Sequence, residues 1–402
     1  KEPREHAQLL NQLIKAMEAR DDFNKGIPRV MVMEDQKQPR ETFMLVRGAY
    51  NKPTEKTTAA FPASLAAGRA DLPVGQDARQ RVPTNRLDLA RWLVSPENPL
   101  AARVTVNRFW QQFFGVGLVK TTEDFGVQGE KPSHPELLDW LATEFIRTGW
   151  DVKQLVRTIV TSATYRQSSK DSPVAAEVRR RTSTETLYQL APDNRLLARG
   201  PRYRMPSWML RDQALAASGL LVEKLGGPPV NPYEMSESFK PVGASGGDGV
   251  YRRSLYTNWR RTSPPPALLA FDAPRRAVCT AKRERTDSPL QALILLNGTQ
   301  YVEAARALGE SLHRDAKGDL PAMIEAGFLR CLSRKPDARE LAILQQLHRE
   351  QLDHFKAKPA EAESLLKTGN TKRDDKIPAV EAAAATVLAQ ALLNHDGCVV
   401  KR

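Results

Sequence analysis

Beyond residue 98, apolar residues recur three and four positions apart in one segment after another, and this pattern constrains the fold most strongly. Side chains at those spacings lie on the same face of an α-helix, so each segment predicts a helix with one buried stripe. Asn98 followed by Pro99 is typical of a helix start, whereas Gly115 and Gly149 are typical of helix ends. Three helices with short connections are predicted to pack as one bundle layer. Their buried stripes are Val106, Phe109, Trp110, Phe113 and Phe114; Leu137, Leu138, Leu141 and Phe145; and Leu155, Val156, Ile159 and Val160.

Helix signals continue to the end of the chain. Ser133 with Glu136, and Asp337 with Glu340, have the spacing of a capping box, in which two side chains satisfy free backbone N–H groups at a helix start. The tryptophans Trp110 and Trp140 are both predicted to lie in the core. Further helices are predicted over 206–224, from Ser288 to Leu312, and over the alanine-rich residues 380–394. The predicted fold is mainly α: a multi-helix, bundle-like domain with long irregular loops.

The first 84 residues have a different pattern. Apolar residues at helical spacing in 1–20 predict an amphipathic helix that continues from a missing upstream domain. Residues 21–84 are predicted to form a small β-hairpin and an extended linker. The hairpin strands are expected at Arg29–Glu34 and Thr42–Arg47, which are rich in strand formers and separated by a polar stretch. The linker is expected over Gly48–Thr84, where Pro, Gly, Ala and charged residues occur without periodicity.

The remaining residues, 85–402, are assigned to one mainly helical C-terminal domain. A sub-boundary is predicted near 170–200, where the sequence is polar and its periodicity weakens. The Gly-, Pro- and Ser-rich stretch 226–250 is interpreted as an irregular, functional or flexible loop. No stretch approaches the roughly 18 consecutive apolar residues of a transmembrane helix.

Charge is unevenly distributed along the chain. Sixty Lys and Arg residues stand against 47 Asp and Glu, a formal net charge of +13, which favours acidic partners such as anionic glycans, phospholipid surfaces or nucleic acid. Residues 252–285 hold nine of the cationic side chains and only two carboxylates, Asp272 and Glu284. This interval, called the basic segment below, is therefore the main candidate for an interaction site.

The basic segment interleaves aromatic rings with guanidinium groups, a mixture that suits sulfated or carboxylated glycans through bidentate hydrogen bonds and stacking. Alternatively, its arginines pair with Asp272 and Glu284 and simply hold an irregular stretch of chain in place. The candidate ligand-binding residues are Arg252, Arg253, Tyr256, Arg260, Arg275, Arg283 and Arg285.

Four residues are candidates for acid–base chemistry: Asp124, His134, Asp272 and Glu284. Asp124-Phe125-Gly126 matches a kinase triplet, but without the accompanying glycine-rich loop or catalytic motif it is interpreted as a turn. No zinc-type, haem-attachment or P-loop spacing is found, so no metal or cofactor is predicted for this chain. Cys279 lies among cations that would activate a thiol, although an idle cysteine is the simpler interpretation.

Three groups of motifs resemble a known family, the C-terminal domain of unknown function 1553 of planctomycete and related bacterial proteins that also carry a cytochrome c-like module. They span about 85–310. The matching stretches are Val106–Trp110, Phe114–Val119, Asp124–Gly126, Pro132–Ala142, Ile159–Ser169, Tyr251–Tyr256, Phe271–Arg275, Arg283–Thr286 and Pro289–Asn297. Two departures, Asp287-Ser288 and Gly298, lie at a helix start and a turn.

The resemblance implies an exported multidomain protein, located in the periplasm or cell envelope, with a c-type haem on a module upstream of this chain. It implies no reaction. The expected function is an accessory or binding module that contacts an anionic polysaccharide or a partner protein. The alternative is a polysaccharide-active enzyme domain, hydrolytic or coupled to the upstream haem. Nucleic-acid binding is a third reading, which export argues against.

Overall fold

The computed structural model describes most of the chain. The described residues are 2–27, 29–36, 38, 40–59, 61, 65, 85–169, 192–233, 243–261 and 264–401. They confirm a mainly helical fold, and among them no helix combines the length and apolar character needed to cross a bilayer. The predicted sub-boundary at 170–200 falls largely outside these residues, as does the middle of the predicted loop 226–250. Contacts divide the chain into two units, Lys1–Ala101 and Ala102–Arg402.

The first unit contains the predicted N-terminal helix and a β-hairpin. Helix α1 spans Glu2–Gly26 and is therefore longer than predicted. Its apolar stripe is exposed, with Leu9 and Phe23 at 65% and 73% of their accessible area. Helix α2, Arg86–Leu93, begins at Asn85, whose side chain accepts a hydrogen bond from Asp88 N. The predicted domain boundary at residue 85 stays a prediction.

The hairpin exists, but its strands differ from the predicted pair. Strand β1, Thr42–Leu45, pairs antiparallel with β2, Pro53–Thr57, while Arg29–Glu34 has no regular structure. The assignment of 53–57 to the linker was therefore wrong. Its sequence, P-T-E-K-T, lacks apolar alternation because the strand is exposed on nearly every residue, so the usual strand signal is missing.

The second unit begins with the predicted three-helix layer. Helix α3 spans Ala101–Phe114, α4 Pro135–Arg147 and α5 Val152–Thr161. Trp110 is buried as predicted, but Trp140 is 53% exposed, so that prediction was wrong. On α4 the buried positions are Leu138, Leu141 and Phe145, and Trp140 lies two positions from the first of them, off that stripe.

Of the three predicted helix starts, one is shifted along the chain, one lacks its predicted capping box and one is confirmed. Helix α3 begins at Ala101, two residues later than expected, and Asn98 Oδ1 accepts from the N–H groups of Leu100 and Ala101. At α4 the capping box is absent, because His134 is the N-cap residue without a side-chain cap. Ser133 Oγ instead donates to Leu118 O at 3.3 Å. The Asp337–Glu340 capping box is confirmed at the start of a helix given below.

The remaining elements build a helical core. The helices are α6 Ser207–Ser218, α7 Pro266–Ala270, α8 Pro289–Asn297, α9 Thr299–Asp315, α10 Leu320–Leu332, α11 Ala338–Ala357, α12 Pro359–Leu366, α13 Ala379–Leu393 and α14 Asp396–Val399. Short strands β3, Tyr203–Arg204, and β4, Val400–Lys401, pair antiparallel. The alanine-rich helix is thus confirmed as α13. Helix α6 is shorter than predicted because Gly219 adopts a left-handed conformation at its end (φ 77°).

The long apolar helix predicted from Ser288 to Leu312 is two helices. Gly298 separates α8 from α9 with an extended backbone (φ −63°, ψ 127°). A Cβ atom at this position would lie 2.6 Å from Ile294 O, so the bend needs glycine. Because both helices carry apolar stripes, the sequence pattern alone did not reveal the break.

Helices α9 and α13 form the centre of the core. Both carry small residues at the contact, including Ala304, Ala305 and Ala385, which are fully buried. At their crossing Gly309 has no room for a side chain: a Cβ atom there would lie 2.5 Å from Ala385 O and 2.6 Å from Ala385 C. The two backbones therefore touch directly, and the larger side chains Leu308, Leu312 and Leu388 pack around that contact.

Replacing Gly309 with Ala should push these backbones apart. We expect the substitution to lower the free energy of unfolding by about 2–3 kcal/mol, as overpacking of a close-packed core does. Gly246→Ala is the matched control, because Gly246 has φ −72° and open space around its Cα, so its change should stay within about 0.5 kcal/mol. Urea unfolding followed by circular dichroism measures both; equal stability of the two variants would contradict the close contact.

Candidate functional site

A cavity of about 580 Å³ lies in the second unit where three parts of the chain meet. It is lined by the turn after α3, by the stretch that leads into β3, and by the end of the chain around β4. We call it the arginine cavity, after the residues that dominate its lining: Arg195, Arg199, Arg202, Arg204 and Arg285.

One wall of the arginine cavity is the glycine turn that follows α3. The buried amide of Asn107 holds this turn, since it donates to Val119 O at 3.0 Å and accepts from Val119 N at 2.9 Å. Gly117 packs so tightly on that amide that a Cβ atom would lie 2.6 Å from Asn107 Nδ2. Gly115 has φ 83° and lies against the Tyr203 ring. The turn thus exposes main-chain carbonyls to the cavity.

Two cavity arginines bind those carbonyls and leave their charge unbalanced. Arg285 Nη1 donates to Gly115 O at 2.8 Å, and Arg195 Nη1 donates to Gly117 O at 3.2 Å. Within the described residues, no carboxylate lies within ion-pair distance of either one. Arg202 pairs with Asp396, another lining residue, at 3.6 Å. The lining carries five guanidinium groups against three carboxylates, Asp193, Asp287 and Asp396, and Arg204 also pairs with Asp272 outside the lining. The positive charge without a carboxylate partner is therefore that of Arg195 and Arg285.

The pKa values of Arg283 and Arg285 are both lowered. Burial lowers the pKa of Arg285, and the nearby cations Arg204 and Arg283 lower it further, against an opposing effect of Tyr203. The pKa of Arg283 is lowered first by burial and then by Arg108 and Arg276. Both groups remain charged at neutral pH, because an arginine pKa starts above 12. An anion placed among them would relieve this repulsion.

Burial also raises the pKa of the Tyr203 hydroxyl to about 12, so that group stays neutral. The Tyr203 hydroxyl donates to Gln112 O, and its ring lies under the Arg285 guanidinium, 4.4 Å from ring centroid to Cζ. Tyr203 therefore positions Arg285 at the cavity wall through stacking rather than through charge.

A narrow cleft of about 20 Å³ adjoins the cavity and brings together four predicted residues: Asp272, Arg283, Glu284 and Arg285. Arg283 stacks on Trp208, with Cζ 4.5 Å from the ring centroid. The carboxylate of Asp272 is occupied, because it accepts from Thr286 N at 2.7 Å and from the buried guanidinium of Arg204. The cleft has room for about one water molecule.

Arg252 lines neither the arginine cavity nor the narrow cleft, and its side chain binds main-chain oxygens of a neighbouring stretch of chain. Its side chain is buried and stacks on Tyr256 at 3.8 Å, and it donates to the main-chain oxygens of Lys224, Gly226 and Pro228. Arg253 pairs with Glu223 at the surface. These contacts favour a structural role for Arg252 and Tyr256, so we leave both out of the proposed binding site.

The other predicted site residues are scattered. Arg260 is exposed, and Arg275 contributes its main-chain oxygen to Trp259 Nε1 at 3.0 Å. Asp124 closes a turn by accepting from Gly126 N at 2.7 Å, as its sequence motif indicated. His134 Nδ1 lies 3.0 Å from Ser133 Oγ at the start of α4. Neither Asp124 nor His134 lines the arginine cavity or the narrow cleft.

Sequence reasoning missed the arginines that lead into β3. Residues 194–204 read N-R-L-L-A-R-G-P-R-Y-R, four arginines around a Gly-Pro pair, yet the only prediction near this stretch was the polar sub-boundary at 170–200. Its arginine density was the available signal. What the sequence lacked was any indication that 115–118 and 396–400, both distant along the chain, would meet it. Among the described residues, no cluster of three metal-ligating side chains occurs.

Comparison with known proteins supports the family assignment over most of the second unit. The model of the family described as "Protein of unknown function (DUF1553)" matches residues 85–348. That match includes the glycine turn, the stretch leading into β3 and the whole basic segment. No curated protein and no solved structure matches the chain. Because the match covers well over half of its residues, the chain belongs to the DUF1553 family.

Proposed function

We propose that this chain is a helical accessory module that binds the sulfate or carboxylate groups of an anionic polysaccharide in the arginine cavity. In this proposal the module belongs to an exported, cytochrome c-associated protein of the cell envelope. The export and haem parts rest on the resemblance of the motifs in 85–310. The binding part rests on the geometry of the cavity.

One observation carries the binding proposal: Arg195 and Arg285 line the cavity, donate only to main-chain oxygens, and have no carboxylate of the described residues within ion-pair distance. Arg204 is already paired with Asp272, but Arg285 is both partly buried and close to other cations. Cations held close together repel one another, and a bound anion would offset that repulsion and so stabilise the site. Guanidinium groups fit sulfate and carboxylate through paired hydrogen bonds.

Two further features suit a sugar. A volume of about 580 Å³ is within the range of ligand pockets and is sufficient for one or two sugar rings. The lining also contains aromatic side chains, Trp110, Phe114 and Tyr203, beside main-chain oxygens of the glycine turn. Apolar surface next to fixed polar groups is typical of pockets that orient a ligand.

The enzyme alternative would use Asp272 and Glu284, which share the narrow cleft. Glycoside hydrolysis needs two carboxylates that face an open space roughly 5–10 Å wide. Asp272 is instead bound by Arg204 and Thr286, and the cleft holds about 20 Å³. A carboxylate already satisfied by an arginine and a backbone N–H is a poor proton acceptor, so the contacts favour the binding module.

Arg202→Gln and Arg285→Gln should each weaken binding to a sulfated polysaccharide by about tenfold, since each removes one charge-assisted contact from the arginine cavity. Affinity electrophoresis with a sulfated galactan, and with its desulfated form as the ligand control, measures this. Arg339→Gln is the matched protein control. It removes the same group from the exposed face of α11 and should change affinity less than about twofold.

Equal weakening by all three substitutions would show binding to overall positive charge instead of the cavity. Retention that does not depend on sulfate in the galactan would likewise contradict the proposal. Wild-type thermal stability in each variant is required before the affinities are compared.

Asp272→Asn should lower the free energy of unfolding by about 3 kcal/mol, because it leaves the buried guanidinium of Arg204 without its close partner. Asparagine tolerates the left-handed backbone of this position (φ 61°), so the loss would come from charge. Asp287→Asn is the control: its side chain is 88% exposed and lies 3.7 Å from Arg204, so its effect should stay below about 1 kcal/mol. If urea unfolding finds Asp272→Asn as stable as wild type, the Asp272 carboxylate is not required by Arg204, and the structural role assigned to it is contradicted.

A further inference from the structure

Two of the three cysteines meet where the C-terminal segment packs on helix α10. Cys331 lies near the end of α10 and Cys398 lies in α14, and both are buried. Cys398 Sγ is 3.5 Å from Cys331 O and 3.1 Å from Leu392 O. Sixty-seven positions of sequence separate the two cysteines, so the fold alone brings them together.

The surrounding contacts hold α14 firmly against α10. Gly397 approaches so closely that a Cβ atom would lie 2.5 Å from Leu332 Cδ2. His395 stacks edge-on against Phe328, with ring centroids 5.7 Å apart. These contacts hold the two segments that carry the cysteines against each other, as a disulfide between them requires.

We propose that Cys331 and Cys398 form a disulfide when the protein meets a thiol-oxidising environment, and that this bond clamps the C-terminal segment to the helical core. The segment carries β4, which pairs with β3, and β3 contains Tyr203 and Arg204 of the arginine cavity. The bond would therefore stabilise one wall of that cavity. The proposal does not depend on which ligand the cavity binds.

The chemistry needs a small-molecule disulfide, such as oxidised glutathione, as the oxidant. Cys331 is the expected nucleophile, because the neighbouring Cys398 thiol lowers the pKa of Cys331, whereas the Cys331 thiol and burial raise the pKa of Cys398. The Cys331 thiolate attacks one oxidant sulfur, its S–S bond breaks, and one small thiol leaves. Cys398 then loses its proton and attacks the Cys331 sulfur, which releases the second small thiol. Two electrons pass from the protein to the oxidant.

The third cysteine, Cys279, can be replaced so that only the proposed pair remains. Cys279 is exposed and belongs to the basic segment, so Cys279→Ser removes intermolecular bridging without touching the pair. The full chain with this substitution is refolded in a glutathione redox buffer, and an aliquot is kept reduced. Because both remaining thiols are buried, oxidation during refolding avoids the slow opening of the native core.

We expect both thiols of the oxidised protein to resist alkylation under denaturing conditions, and a cross-linked Cys331–Cys398 peptide after proteolysis. Its Tm should exceed that of the reduced aliquot by roughly 5–10 °C, since a bridge across a long loop restricts the unfolded chain. Cys398→Ala in the same background should show no oxidation-dependent shift. Two free thiols after oxidation, or a bridge that leaves Tm unchanged, would overturn the proposal. Both readouts compare redox states of one chain, so they hold even if Cys398→Ala fails to fold.

Discussion

The fold depends on the contact between helices α9 and α13, where Gly309 allows two backbones to touch. Helix α9 also packs on α6, and through these two helices the core reaches the irregular parts of the chain. From α9, the buried carboxylate of Glu303 accepts from the N–H groups of Asn370 and Thr371 at 2.7 Å. From α6, the guanidinium of Arg211 donates to the oxygens of Val250 and Arg252. A small-residue contact at the centre thus fixes long stretches that have no regular structure of their own.

Buried arginines are the main connectors in those stretches. Irregular backbone leaves carbonyl oxygens without partners, and a guanidinium group has five N–H donors in a rigid plane that can satisfy several at once. Arg252 binds three such oxygens, and Arg204 binds three together with Asp272. The positive charge of the chain therefore has two roles. An inner set of arginines holds the fold together, while Arg202, Arg283 and Arg285 stand at the cavity and cleft, where an external anion can reach them.

The helices could be predicted from patterns within one segment of sequence. Features that depend on contacts between residues far apart in the sequence could not. The stripes of α4 and α5 and the alanines of α13 are periodic within one segment, so their burial could be read directly. The exposed strand Pro53–Thr57 carries no such pattern. Arg252 looked the same as Arg283 in the sequence, because the groups that bind Arg252 are main-chain oxygens, which any residue type supplies. The concentration of charge could thus be predicted, whereas its division between structure and site could not.

The central claim is that the helical core presents a cationic cavity to an anionic ligand. Hydrogen–deuterium exchange of the full chain, measured with and without a sulfated oligosaccharide, tests it most directly because it locates the ligand. The account predicts slower exchange in 115–118, 199–204 and 283–287 on addition of the ligand, with the helices α9 and α13 already protected in its absence. Protection confined to other surfaces, or none at saturating ligand, would contradict it.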